Sequence, residues 1–358
     1  MALDKISLEN FRNHLRSDLS GTAKFNLLYG ENGAGKTNVL EALSLLSPGR
    51  GLRRAMLDEI ARQDGGGGYA IGASLVEQGQ ISARIGTYVD CDRTRSRKVR
   101  INGADATTTS LSEWLALSWL TPSMDGLFTD SASARRRFVD RMALAVEPSH
   151  AKSVSQLETA LRERNRLLET GGEPRWLDAI EAQVADHGAA VAANRARLIA
   201  LLSDELSALP AEPFAKPILT HKPGGPMQAE QLFAEMGRQR PRDRAAGRAL
   251  TGPHRDELEV VMAGSGQPAA SCSTGEQKAM LIAITLAHGV LASEGRPSVL
   301  LLDEVAAHLD PVRRTELFNR LREGRAQIWM TGTELAPFQE IREEAAVWKV
   351  SDGALDKL

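Results

Sequence analysis

The sequence predicts an α/β fold that is interrupted by a mainly helical segment. An apolar strand at residues 25–29 runs into a glycine-rich loop and then a helix, and the fully apolar strand at residues 298–302 is of the type buried in parallel sheets. In the middle of the chain, apolar residues recur at three- and four-residue spacing, which is typical of helices. We therefore expect the two ends to build one domain, with the helical middle as an insertion.

The order of elements follows from apolar spacing and from breaks at glycine and proline. In chain order we expect a strand around Ile6, Leu8 and Phe11, a strand at 25–29, a helix from Lys36 to about Leu46, short strands from Ala70 to Ile101 with a hairpin turn at Asn102-Gly103, a strand at 116–121, a helix around Arg135 to Arg141, two antiparallel helices from Val154 to Leu201, a proline-rich linker from Pro210 to Pro226, and a strand from Ser298 to Leu302. We expect three segments: an α/β part at 1–145, a helical arm at 146–240 and a second α/β part at 241–358.

The composition is that of an ordinary globular protein. The chain has 358 residues, of which 42% are hydrophobic and 25% charged, and its formal net charge is -2. This excludes a polycation, so a nucleic-acid surface would have to be a local basic patch. Two cysteines are too few for a disulfide scaffold or a four-cysteine zinc site. The longest apolar run, Ala279 to Ala292, falls short of the roughly 20 residues that span a bilayer, and the N-terminus lacks a signal-peptide core, so we expect a cytoplasmic protein.

A phosphate-binding loop is the strongest motif. The segment Gly30-Glu31-Asn32-Gly33-Ala34-Gly35-Lys36-Thr37 fits G-x-x-x-x-G-K-[ST] and lies between a predicted strand and a predicted helix. Its backbone N–H groups and the helix N-terminus suit a phosphate, Lys36 can reach the β- and γ-phosphates, and the Thr37 hydroxyl can bind Mg²⁺. The sequence therefore predicts an ATP and Mg²⁺ site. The alternative is a glycine-rich turn that happens to end in Lys-Thr.

An acidic pair follows the apolar strand at 298–302. Asp303 is delivered to the carboxyl end of that strand, where the ligands of such sheets bind, and can hold Mg²⁺ directly or through water. Glu304 can then polarise a water molecule for attack on the γ-phosphate. On this interpretation Glu304 and Lys36 are the catalytic residues. An acidic pair at a strand end without a catalytic role is the alternative.

A third motif opens the apolar helix near Ala279. Ser273 and Gly275, with free backbone N–H groups at a helix start, can form an anion site. Taken alone, the segment favours a simple N-cap, with Ser273 or Thr274 as the cap and Glu276 near the start.

The order of these motifs resembles that of the ABC-type ATPases, whose signature is a Leu-Ser-Gly-Gly-Gln-like loop. Cys272 and Thr274 depart from the usual leucine and first glycine, and Ala306 to Asp310 lies where that class has its D-loop. The chain is more specifically similar to the SMC-like, bacterial recombinational-repair members of this P-loop ATPase family. That similarity rests on Asn10 to Asn13, Gly35 to Ala42, Arg135 to Asp140, Gly252 to Asp256, and the regions of Ser273 and Asp303.

The resemblance implies an ABC-type P-loop ATPase head with an inserted helical arm. It also implies an ATP-dependent homodimer, in which Ser273 and Gly275 of one subunit touch the γ-phosphate held by the other, and it places Arg12 among the nucleotide contacts. The implied partners are DNA at gaps or junctions, bound without sequence preference, and a RecR-type mediator protein. The implied roles are recombinase loading, replication-fork repair and support of the SOS response, with slow, DNA-stimulated ATP hydrolysis.

Three departures from the family pattern stand out. Asp-Asp is common where this chain has Asp303-Glu304, Pro122-Ser123 replaces the usual Pro-Glu at the glutamine-loop position, and Thr331-Gly332-Thr333 replaces a switch histidine after the final core strand. Transporter subunits usually have that histidine, so its absence argues against the alternative of a nucleotide-binding subunit of a membrane transporter. A second alternative is a chromosome-organising ATPase with a short arm.

Three arginine-rich stretches are candidates for DNA contact. They are Arg93 to Arg100, Arg135 to Arg141 and Arg238 to Arg248. Arginines give sequence-independent, salt-sensitive contacts to phosphates, and an aromatic content of 4% offers few rings for unpaired bases. Arg162, Arg164 and Arg166 are interpreted instead as a solvated helix face, because Glu158, Glu163 and Glu169 lie nearby in the sequence.

Overall fold

The computed structural model describes residues 2–63, 66–77, 79–210, 212–293 and 295–358. They form two compact units. The first contains Met1–Asp125, Glu212–Phe214 and Leu281–Leu358, and the second contains Gly126–Ala211 and Ala215–Met280. The division into segments at 1–145, 146–240 and 241–358 stays a prediction.

Strands and helices alternate in the way that the sequence predicts for an α/β protein. Within the described residues the strands are β1 (Leu3–Phe11), β2 (His14–Leu19), β3 (Phe25–Tyr29), β4 (Tyr69–Glu77), β5 (Gln80–Val89), β6 (Arg97–Ile101), β7 (Ala104–Ala106), β8 (Ala116–Leu120), β9 (Pro217–Lys222), β10 (Glu257–Met262), β11 (Ser298–Leu302), β12 (Gln327–Gly332), β13 (Ala345–Ser351) and β14 (Ala354–Lys357). The helices are α1 (Lys36–Ser44), α2 (Leu57–Ile60), α3 (Leu111–Trp114), α4 (Ala132–Val146), α5 (His150–Thr170), α6 (Pro174–Ala208), α7 (Ala229–Ala246), α8 (Thr274–Ala292) and α9 (Pro311–Glu323).

A mostly parallel sheet in the first unit positions the candidate site. Its strand order is β14-β13-β3-β12-β11-β8, and only β14 runs antiparallel to its neighbour. Leu302 of β11 pairs with both Leu120 of β8 and Met330 of β12. The carboxyl ends of these strands therefore meet at one edge of the sheet, where ligands of α/β proteins bind.

A second sheet of the first unit is antiparallel. Its order is β2-β1-β4-β5-β6-β7. One face contributes Ile85 and Val99 to the apolar core, while Arg84 and Arg100 on the neighbouring positions are exposed. This alternation is the period-2 pattern of a sheet with one buried and one solvated face.

The second unit is mainly helical, with a small hairpin of β9 and β10. Helices α5 and α6 run antiparallel, because Arg164 contacts Glu181 near one end of the pair and His150 contacts Asn194 near the other. Gly171, with a φ of 72°, ends α5 in the left-handed conformation that favours glycine. The buried core joins these helices to α7 through residues such as Leu161, Val184 and Leu232.

Most predicted elements are confirmed. The strands at 25–29 and 298–302 have the predicted limits, the predicted helical pair is present as α5 and α6, and the apolar run at 279–292 lies in α8. The linker from Pro210 to Pro226 is wrong in part, because it contains β9, which begins at Pro217. Proline is tolerated at the first residue of a strand, where its missing N–H breaks no ladder. Among the described residues, no helix is both long and apolar enough to cross a membrane.

Candidate functional site

The glycine-rich loop connects β3 to α1, as the sequence predicts. Its first glycine, Gly30, passes so close to β13 that a Cβ atom there would lie 2.2 Å from the Val350 carbonyl oxygen. Gly35 has a φ of 112°, and a Cβ atom would lie 2.7 Å from the Asn13 side-chain oxygen. Both positions therefore require glycine, and the loop can keep its backbone N–H groups turned inward.

Lys36 lies inside this loop and is 4% exposed. Its ammonium donates hydrogen bonds to the carbonyl oxygens of Gly30 at 2.7 Å and Glu31 at 2.8 Å. Burial lowers the pKa of Lys36, and the nearby carboxylates of Glu304 and Asp303 oppose that shift. The loop thus holds its cation beside the two acidic residues of the other predicted motif.

Thr37 and Asp303 meet although they are far apart in the sequence. The Thr37 hydroxyl lies 2.9 Å from Asp303 Oδ1 and 3.2 Å from Oδ2. A hydroxyl and a carboxylate oxygen are the ligand types that Mg²⁺ takes beside phosphate oxygens and water. Among the described residues no group of three or more His, Cys, Asp or Glu side chains could hold a metal ion. The Thr37 hydroxyl and the Asp303 carboxylate fit Mg²⁺ beside a nucleotide, because that ion keeps several waters and takes one or two protein ligands there.

Glu304 has a backbone conformation that is unusual for a residue with a side chain. Its φ is 55°, in the left-handed region. Its N–H donates to the Thr331 hydroxyl at 2.9 Å, and that hydroxyl donates to Asp303 Oδ1 at 2.7 Å. Thr331 was missed as a site residue by the sequence reasoning. The expectation that Thr331 and Gly332 follow the last core strand is also wrong, since both belong to β12.

Residues of the Asn10 to Asn13 segment and its neighbour brace the loop. The Asn13 amide donates to the Ala34 carbonyl at 3.0 Å and accepts from the Asn38 amide at 2.7 Å. The buried ring of His14 contacts the Gly35 carbonyl oxygen at 3.2 Å through Nε2. Burial lowers the pKa of His14, while its contacts to backbone carbonyls oppose the shift. These contacts fix the phosphate loop against the start of the chain.

Arg12, a predicted nucleotide contact, is held by a buried carboxylate of α1. Its guanidinium donates to both oxygens of Glu41, at 2.9 and 2.7 Å, and to the Glu59 carbonyl at 2.8 Å. Glu41 is 1% exposed and also accepts from Arg53 at 2.9 Å. Arg12 and Asn13 line one side of a cleft of about 410 Å³ with Arg62. A role for Arg12 toward nucleotide stays a prediction.

Ser273 and Gly275 belong to the second compact unit, unlike the loop and the acidic pair. Ser273 forms a capping box at the start of α8. Its N–H and hydroxyl donate to Glu276 at 2.8 and 2.7 Å, and the Glu276 N–H donates to the Ser273 hydroxyl at 3.3 Å. The hydroxyl and N–H of Ser273 lower the pKa of Glu276. The N-cap interpretation is thus satisfied, and a further role at a phosphate stays a prediction.

The segments around Arg135 and Gly252 meet inside the second unit. Arg135 donates to both oxygens of Glu257, at 2.7 and 2.9 Å, and Arg136 donates to the Asp256 carbonyl at 2.9 Å. Arg195 of α6 joins Asp140 and Asp256 with bonds of 2.7 to 2.9 Å. These two motif segments therefore form a partly buried ion network that engages Arg135, Arg136 and Asp256, while Arg137 is exposed.

Comparisons with known proteins agree with this geometry. Residues 2–355 match the family described as RecF/RecN/SMC N terminal domain. The DNA replication and repair protein RecF of Brucella suis biovar 1 (strain 1330) is 46% identical over 368 residues, which cover 99% of this chain and 96% of that protein. RecF of Mesorhizobium japonicum (strain LMG 29417 / CECT 9101 / MAFF 303099) is 45% identical over 373 residues, covering 99% and 97%.

A solved structure shows the same fold. It is described as the recombination mediator protein RecF-ATPrS in the RecFOR pathway, and it superposes with a TM-score of 0.87 at 22% identity, covering 99% of this chain and 98% of that chain. The predicted fold, an ABC-type, SMC-like ATPase head, is confirmed, and so is the resemblance drawn from the motifs. The chain belongs to the RecF family of DNA replication and repair proteins.

Proposed function

We propose that this protein is an ATP-gated DNA-binding protein of recombinational repair and replication. The observation that carries the proposal is the meeting of Thr37 and Asp303 at 2.9 Å beside the buried Lys36. Three groups that serve a nucleoside triphosphate with Mg²⁺ come from two distant parts of the sequence, Lys36-Thr37 and Asp303, and converge at one strand edge. The relatives named for DNA replication and repair support the biological role, and a cytoplasmic location is part of the proposal. They do not support the transporter or chromosome-organising alternatives.

Hydrolysis would use the residues already at this edge. Lys36 would neutralise the β- and γ-phosphates, and Thr37 with Asp303 would hold Mg²⁺, which when bound stabilises charge on the phosphate oxygens. The oxygen of a water molecule would bond to the γ-phosphorus while Glu304 takes its proton. The bond between that phosphorus and the bridging oxygen of ADP would break, which leaves ADP and phosphate. We expect this reaction to be slow and to require DNA.

The proposed gate is a homodimer that closes on ATP. Ser273 and Gly275 lie at the start of α8, where exposed N–H groups favour an anion. In the dimer this helix start would face the γ-phosphate bound by the partner. The Ser273–Glu276 capping box would then have to open, because its hydroxyl is already engaged. A RecR-type mediator, recombinase loading and the SOS response belong to the proposal because of the RecF relatives and the RecFOR pathway named for the similar structure.

Among the three arginine-rich stretches, we propose that the end of the first, Lys98 and Arg100 on β6, contacts DNA together with Arg84 of the neighbouring strand β5. Arg84 and Arg100 are exposed, and they share one face of the antiparallel sheet, since Gly86 pairs with Arg100. Arg100 and Lys98 flank the ring of Tyr88, at 5.1 and 5.8 Å from its centroid. This gives a flat, cationic surface that suits a phosphate backbone.

The other two stretches are largely engaged within the second unit. Arg135 and Arg136 belong to the ion network described above. On α7, Arg240 contacts Asp178 and Glu181, and Arg238 contacts Glu235 at 2.6 Å. Lys98 and Arg100 also have carboxylate partners, Asp90 at 2.7 Å and Asp105 at 3.3 Å, but both of these ion pairs are exposed. Exposed ion pairs contribute little, so exchanging them for DNA phosphates costs less than breaking the contact of Arg240 to the buried Glu181.

A salt titration tests the DNA proposal. We expect Arg84→Glu with Arg100→Glu to weaken ATP-dependent binding to duplex DNA and to reduce the slope of log K against log salt by about 0.9 for each lost phosphate contact. Arg325→Glu, an exposed site between α9 and β12, is the control and should leave the slope unchanged. An unchanged slope in the double variant would place the DNA surface elsewhere. Binding that is unaffected by ATP in the wild type would contradict the gate.

A further inference from the structure

We infer that Thr331 is a positioning residue for the hydrolytic site and holds the backbone of Glu304 in place. The inference rests on the proposed ATPase function, and it concerns a residue that no motif assigns. Thr331 lies near the carboxyl end of β12, is 0% exposed, and follows Met330, the β12 partner of Leu302. Its side chain therefore starts from the strand beside the one that delivers Asp303.

The hydroxyl of Thr331 uses both of its hydrogen-bonding capacities at this edge. It accepts from the Glu304 N–H at 2.9 Å and donates to Asp303 Oδ1 at 2.7 Å. The same carboxylate oxygen accepts from the Thr37 hydroxyl at 2.9 Å. A continuous chain of hydrogen bonds thus joins the phosphate loop, the acidic residue at the Mg²⁺ position and the backbone of the general base.

Glu304 needs such a restraint. Its φ of 55° is unfavourable for a residue with a Cβ atom, and such conformations persist only where the surroundings fix them. The bond from its N–H to Thr331 is a fixed contact of this kind. The backbone conformation of Glu304 sets the positions at which its carboxylate can reach a water molecule. Losing the hydrogen bond to Thr331 should therefore lower the rate of hydrolysis more than the affinity for nucleotide.

The packing next to Thr331 restricts residue 332 to glycine. A Cβ atom on Gly332 would lie 2.4 Å from Cε2 and 3.0 Å from Cζ of Phe338, which is itself 1% exposed. A side chain at residue 332 therefore does not fit without moving the core. The hydroxyl of the preceding residue, Thr331, is the polar group that β12 presents to Asp303 and Glu304.

Two substitutions separate the hydroxyl from the shape of the side chain. Thr331→Val keeps the branched shape and removes the hydroxyl, while Thr331→Ser keeps the hydroxyl. For Thr331→Val we expect kcat for DNA-stimulated ATP hydrolysis to fall at least about tenfold, with the Kd for ATP changed less than about threefold, the signature of a group that acts in the transition state. Thr331→Ser should retain most of the wild-type kcat.

The outcomes distinguish this inference from the proposed function. Full turnover in Thr331→Val, or equal losses of kcat and ATP affinity, would overturn the positioning role of Thr331. A wild-type protein without ATPase activity, or a Glu304→Gln variant with wild-type turnover, would instead overturn the proposed ATPase chemistry.

Amide hydrogen exchange provides a readout that needs no activity. The Glu304 N–H should exchange faster in Thr331→Ala than in Thr331→Ser, because only serine can still accept its hydrogen bond. This comparison replaces the kinetic one if Thr331→Val does not fold. Equal exchange of that amide in the two variants would overturn the inference.

Discussion

Arg164 on α5 gives a sharp test of how the arm is held together. Its side chain is 0% exposed and donates to Glu181 at 2.9 Å, to Asp243 at 2.7 Å and to the Met236 carbonyl at 3.0 Å. It therefore joins α5, α6 and α7. Two residues further along α5, Arg166 is 64% exposed and contacts only the neighbouring turn through Glu163 at 2.5 Å. Replacing each arginine with methionine changes the same chemical group in opposite surroundings.

The expected loss of stability depends on the partners that Glu181 and Asp243 keep when Arg164 is replaced. Removing one partner of a buried ion pair costs about 3–5 kcal/mol, because a buried charge is left without compensation. In Arg164→Met, Glu181 still has Arg240, and Asp243 still accepts from the Leu250 N–H at 2.9 Å. We therefore expect Arg164→Met to lower the free energy of unfolding by about 3 kcal/mol, the lower end of that range. For Arg166→Met the loss should stay below about 1 kcal/mol, since exposed pairs contribute little and methionine is a good helix former.

Urea unfolding followed by circular dichroism, with scanning calorimetry, measures both variants. For a unit of this size, about 3 kcal/mol corresponds to a fall in Tm of roughly 6–12 °C, compared with about 4 °C or less for Arg166→Met. The comparison should be made on the transition of the second unit if the two units unfold separately. Equal losses of stability in the two variants would refute the conclusion that the ion pairs of Arg164 hold α5, α6 and α7 together.

Two further predictions concern the phosphate loop. Lys36→Ala should weaken ATP binding by about 10- to 150-fold, because one charge-assisted contact contributes about 1.5–3 kcal/mol. Lys152→Ala, on the exposed surface of α5, is the control. A calorimetric titration that shows wild-type affinity in Lys36→Ala would contradict the loop assignment. Burial lowers the pKa of His14, so the neutral ring stabilises the folded protein at pH values above the pKa of the unfolded chain, near 6.5. This stabilisation is lost as the pH falls through the pKa of the folded state. Urea unfolding at pH 7.5 and 5.5 should therefore show a larger loss for the wild type than for His14→Gln, and equal losses would exclude His14 as a source.

The sequence predicts those parts of the site that depend on local sequence patterns. The glycine-rich loop and the strand before Asp303 are contiguous segments, so strand, loop and helix signals identify them without tertiary information. Thr331 could not be found in this way, because its partners Asp303 and Glu304 directly follow the neighbouring strand β11 and its contact depends on strand register.

The burial of a charged side chain is also hard to predict from the sequence, as Arg164 shows. Arg164 and Arg166 both lie near glutamates in the sequence, so charge spacing assigns both to a solvated face. The structure buries Arg164 completely because α7 packs over it with Asp243, a contact 79 residues away in the chain. The interpretation of Arg164 as solvated is therefore wrong, while that of Arg166 is confirmed by its exposure.

Light scattering with ATP tests the central claim, which is that ATP closes a dimer through Ser273 and that Glu304 reopens it by hydrolysis. Ser273→Arg places a bulky cation at the helix start, so it should bind ATP with near wild-type affinity and remain a monomer. Glu304→Gln keeps the shape but removes the base, so it should accumulate as an ATP-bound dimer that stays on DNA longer than the wild type. A Ser273→Arg protein that dimerises on ATP, or a Glu304→Gln protein that stays monomeric, would contradict the account.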